Sequence, residues 1–130
     1  MLTLRKPTDE EVCINQSMVI KYKRQGDILL SEIRSIMTEQ PLDFEYYKPW
    51  QVLCNTFYQI LEPLLYGTAT EEDTEKNYKL LCKNCDDFLN EIKTGTIEYT
   101  FNQILSKINK LKLLMLKLNY IVQTFGGNIA

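Results

Sequence analysis

Histidine is absent from the 130 residues. That removes the side chain that most often acts as a general base near neutral pH and most often ligates a metal through nitrogen. Glycine (5) and proline (4) are scarce, too few for an all-β chain that turns about every 8–12 residues. No run of about 18 apolar residues occurs, so no membrane-spanning helix is expected. The phosphate-cradling GxxxxGK[ST], the dinucleotide GxGxxG and the nucleophile-bearing GxSxG are all missing. A di-iron bundle needs Glu-x-x-His, which this chain does not offer. Adjacent acids such as Glu10/Glu11 and Asp86/Asp87 fall where solvent-facing or dipole-pairing carboxylates belong, and none is placed as a buried acid with a shifted pKa. The chain is therefore expected to be no enzyme, with no catalytic residue, cofactor or metal ligand assigned.

What is present is ordinary for a globular protein: 45% apolar residues, 25% charged residues and a net charge of −2. That length supports one domain over 1–130 and no second core. Met1–Pro7 has no apolar run of the secretory kind. An intracellular, reducing compartment (cytoplasmic or nuclear) is expected, with the four cysteines as free thiols. Charge is unevenly spread. Residues 71–100 hold eight acids against four lysines, whereas residues 101–130 hold four lysines and no acid. Neighbouring helices of opposite sign are the simplest consequence.

The pattern predicts four helices, at about 8–40, 49–66, 70–94 and 96–125. Thr8-Asp9-Glu10-Glu11 reads as a capping box. Val12, Asn15, Val19, Tyr22, Gly26, Leu29, Ile33 and Ile36 then step by threes and fours to Pro41. Gly26-Asp27 is a candidate break, but the seam keeps phase across it, and a continuous helix is favoured. An aromatic connection (Phe44, Tyr46, Tyr47) leads to helix two, whose buried face is Trp50, Leu53, Cys54, Phe57, Leu61 and Leu64. Pro49 suits its first turn, Pro63 is expected to kink its last, and Gly67 ends it. Helix three follows a Thr70 cap with Tyr78, Leu81, Cys82, Cys85, Phe88, Leu89 and Ile92 inward, and Gly95 closes it. Helix four carries the cleanest seam: Ile97, Phe101, Ile104, Ile108, Leu111, Met115, Leu118, Val122 and Phe125. Coiled-coil-like heptads and short connections predict an all-α, antiparallel four-helix bundle with long first and last helices.

Cys82-Lys-Asn-Cys85 is the one motif that invites metal or redox chemistry. A zinc site needs two more ligands, and a low-pKa thiol belongs at a helix N-terminus rather than mid-helix. Packing on the apolar face is the preferred reading.

The far side of helix four is more informative. At 100° per residue, Leu113, Leu116 and Tyr120 point nearly opposite the seam, with Leu105 and Leu114 at the flanks. A bundle helix normally shows water a polar arc there. The excess predicts an interface with a protein partner or a second copy, as in an adaptor, an assembly subunit or a viral or host modulator. Cover from within the monomer and contact with a membrane are the competing explanations. The alternative function is a nucleic-acid-associated small subunit, using Lys107, Lys110, Lys112 and Lys117 with Lys21, Lys23 and Arg24 if the long helices are neighbours.

Overall fold

The computed structural model describes residues 9–39, 47–66 and 71–124, with side chains placed for 17–39, 47–65, 72 and 75–118. Four helices follow in order: α1 (Asp9–Glu39), α2 (Tyr47–Tyr66), α3 (Glu71–Ile92) and α4 (Glu98–Thr124). No strand occurs among the described residues. The Thr8 and Thr70 caps, Phe44, Tyr46, Gly67 and Phe125 lie outside them.

Each helix packs on two others in a closed ring, α1 on α2 and α4, α3 on α2 and α4. Cross-helix contacts fix the directions. Trp50 meets Leu30 while Phe57 meets Gly26, so α2 runs against α1. Asn84 meets Thr56 and Asp86 meets Lys112, on helices joined by short connections, and Lys107 meets Glu32. The protein is an up-down-up-down four-helix bundle, with the longest helices, α1 and α4, side by side.

The core sits along the bundle axis. From α4, Ile104, Ile108, Leu111, Met115 and Leu118 are all fully buried, stepping by fours and threes as its seam requires. Leu53, Phe57, Leu81, Phe88 and Ile92 join them from α2 and α3. Helix α1 departs from the expected seam. Its innermost residues are Val19, Leu30, Ile33 and Met37, whereas Tyr22, Leu29 and Ile36 are only partly buried against the core. The reason is geometric: α1 is wedged between α2 and α4, so its buried arc is broad and centred between two apolar rows rather than on one.

Helix α1 runs unbroken through Gly26. A Cβ there would lie 2.0 Å from Cζ of the fully buried Phe57 ring. Glycine in mid-helix is locally unfavourable, and here it lets the α2 ring close on the α1 backbone. The same interface is stitched by Trp50, whose Nε1–H donates to the Leu30 carbonyl at 3.0 Å while Arg34 stacks over its ring at 5.3 Å. Tyr58 donates to Asp27, which also pairs with Lys23 at 3.4 Å.

Between α3 and α4 the chain turns in five residues. Gly95 N–H and the Thr96 hydroxyl both reach the Ile92 carbonyl, at 3.1 and 2.9 Å, which satisfies an end-of-helix acceptor. Ile97 lies before α4 and is 61% exposed. The expected seam position is thus corrected: its carbonyl takes the Phe101 amide at 2.9 Å and opens the helix, while its side chain faces out. Helix α2 continues through Pro63 to Tyr66.

Candidate interaction surface

Helix α4 turns one arc to α1 and another to α3, and the arc between them is left to solvent. On that arc Leu113 is 50% and Leu116 49% exposed, about 60° apart around the helix. Leu105 is half-buried and packs against the core. Leu114 needs correction as a surface residue: it is only 6% exposed and belongs to the core. It lies on the flank of the arc, where α1 packs over it and covers it. The Tyr120 side chain lies outside the described residues.

The apolar arc continues across to α1. A groove between the two helices has Tyr22, Leu29 and Leu114 along it, with Ile28 and Leu113 beside them. Ile28 is 58% exposed, an apolar residue on the outward side of its helix. It was missed because it opens the run Ile28-Leu29-Leu30, where it passes for part of the core; its angle, nine residues and half a turn from buried Val19, is the signal that marks it. Two shallow depressions adjoin this groove. One follows α1 through Ser31 and Ser35 beside Ile28, and the other follows α4 through Asn102, Ser106 and Asn109 beside Leu113.

The basic residues divide into two groups. Lys107 pairs with Glu32 across the α1–α4 seam, Lys112 with Asp86 across the α3–α4 seam at 2.9 Å, and Lys23 with Asp27. Hydrogen bonding to Asp86 holds the Lys112 ammonium above its ordinary pKa. These three are tied into the fold. Lys21, Arg24, Lys110 and Lys117 are exposed, and Lys110 and Lys117 border the apolar groove. Of the acidic stretch before α4, Lys112 engages only Asp86 among the described residues.

Cys85 lies in the core and Cys54 packs against it. Cys54, Cys82 and Cys85 are free, and Cys85 is buried; the Cys13 side chain lies outside the described residues. Burial pushes the Cys85 thiol up to about 12 and the Cys54 thiol up to about 11, away from the thiolate that metal binding and exchange require. Among the described residues, no group of three or more cysteines and acids converges to hold a metal ion. Nor is any helix among them long and apolar enough to cross a membrane.

On the opposite side of the ring, the surface between α2 and α3 carries Lys48, Val52, Asn84, Asp87 and Glu91. It is more polar and more acidic than the α1–α4 side. No protein-family model matches this chain, and neither a curated protein nor a solved structure matches it.

Proposed function

We propose that this protein is a non-enzymatic interaction module that docks to another protein through the outward face of α4. The observation that carries the reading is the half-exposure of Leu113 and Leu116 on a helix whose seam is already complete. Apolar groups left in water on a fully supplied bundle helix are stabilised by burial against a partner. Ile28 enlarges the same surface from α1. Adaptor, assembly subunit and viral or host modulator are all roles that such a surface serves, and an intracellular setting fits thiols that stay free.

The alternative, a nucleic-acid-associated subunit, has less to stand on. Three of its seven nominated basic residues are spent on ion pairs within the fold, and phosphate binding scales with the number of free cations.

The test is the pair Leu113→Asp with Leu116→Asp, compared with the parent for binding of an apolar fluorescent dye and for denaturant midpoint. Reduced dye binding with little change in the midpoint is expected, because about half of each side chain already lies in water. A substantially lowered midpoint, or dye binding undiminished from the parent, would refute a free docking face there.

A further inference from the structure

The lining of the α1–α4 groove has a chemical bias that narrows the partner. Glu39 and Glu98 stand at the helix ends beyond the groove; along it, between residues 17–38 of α1 and 99–118 of α4, the acids are Asp27 and Glu32. Both are engaged within the fold, Asp27 by Lys23 and Tyr58, Glu32 by Lys107. Lys110 and Lys117 therefore border an apolar groove with no acid among the described residues left to answer them. They are seven residues apart on one helix, about 10.5 Å along its axis.

That arrangement is not self-complementary. A two-fold contact brings the same patch of two copies together, and here it would gather four lysines around Ile28 and Leu113 with no counter-charge. An extended peptide is also a poor occupant, since the described residues offer no strand edge to take its backbone hydrogen bonds. A helix satisfies its own backbone and brings only side chains. The groove and its adjoining depressions follow α4 from Asn102 to Lys117, about 22 Å, which matches a helix of four turns.

Resting on the docking reading above, we infer that the α1–α4 groove receives an acidic amphipathic helix of a different protein. Its apolar stripe lies against Ile28, Leu113 and the groove between them. Its carboxylates, spaced about seven residues apart like the lysines, pair with Lys110 and Lys117.

The probe is a pair of labelled helical peptides, about 16 residues long to cover four turns, with one leucine stripe flanked by Glu in one and by Lys in the other. Fluorescence anisotropy with the 130-residue chain at low salt reads the affinities. The Glu peptide is expected to bind about ten-fold or more tightly than the Lys peptide. The preference shrinks as ionic strength rises from about 0.05 M to about 0.5 M. Lys110→Glu with Lys117→Glu reverses it, and Leu113→Asp abolishes both interactions, in variants whose circular dichroism matches the parent.

Equal affinities that Leu113→Asp still abolishes would overturn the acidic partner while leaving the docking face intact. Peptide binding indifferent to Leu113→Asp would remove the docking face itself. Failure of both peptides to bind, displacement of the Glu peptide by an oligonucleotide, or a stable dimer disrupted by Lys110→Glu would each overturn the inference.

Discussion

Replacing Gly26 with alanine tests the closest approach in the fold. An isolated helix gains about 1 kcal/mol from such a change, because alanine is the better helix former. Here the new Cβ would sit 2.0, 2.5 and 2.9 Å from three atoms of the Phe57 ring. Carbons pack at about 3.5 Å or more, so the ring must retreat by about 1.5 Å. Phe57 has no exposed surface and no free direction to move. Overpacking of this kind costs about 1–3 kcal/mol, and an overlap this deep belongs at the upper end. The net expectation is a loss of about 2 kcal/mol. Phe57→Leu alone costs about 1–2 kcal/mol for the ring atoms removed, but it clears the space. In that background Gly26→Ala should turn neutral or stabilising, giving a favourable coupling of about 2 kcal/mol or more. Urea unfolding followed by far-UV circular dichroism and by the fluorescence of Trp50, the single tryptophan, measures both. If Gly26→Ala stabilises the parent by the full helix-propensity gain, α1 and α2 do not approach as described.

Trp50→Phe should cost about 1 kcal/mol or more, since it removes the indole donor to the Leu30 carbonyl and weakens the Arg34 stack; a double-mutant cycle with Arg34→Ala separates the two contacts. Stability should fall in alkali. Tyr58 is raised to about 12 by donating to Asp27, and Cys85 and Cys54 are raised to about 12 and about 11 by burial. Each is held in its neutral form by folding, so its contribution is complete below the unfolded pKa and is lost as pH rises through the folded one. Thermal melts should therefore weaken from about pH 9 toward pH 12, and Tyr58→Phe should blunt the upper part of that loss. In the native protein at pH 8, Cys85 should resist a thiol reagent until denaturant is added. Rapid native labelling of Cys85, read by peptide mass, would contradict its burial.

Much of the bundle is legible in the chain because helical periodicity depends on each helix alone. The α4 seam from Ile104 to Leu118 is buried residue by residue as spaced. The errors arise where neighbours decide. Leu29 and Ile36 look like seam residues at heptad spacing, yet Leu30 and Met37 are deeper because α2 and α4 share α1 between them. Leu114 is taken inside by α1 for the same reason. Ile97 fits the α4 phase but precedes its first turn. Ion pairs such as Lys107 with Glu32 join residues 75 apart in sequence, which no local pattern encodes. Leu113 and Leu116 stand where the helix wheel puts them, because nothing in the described fold competes for that arc. The groove that Leu113 borders with Ile28 depends on α1 lying alongside α4, which no local pattern encodes.

The docking face is tested most directly by photo-crosslinking at endogenous concentration in extract of the native cells. One variant carries the crosslinking side chain at position 113, and a control carries it at Val52, which is also half-exposed but faces out between α2 and α3. One defined heteromeric adduct from position 113, absent from position 52 and lost on Lys110→Glu with Lys117→Glu, is the expected result. Equal adducts from both positions, or none from position 113, would contradict an interaction surface on α4.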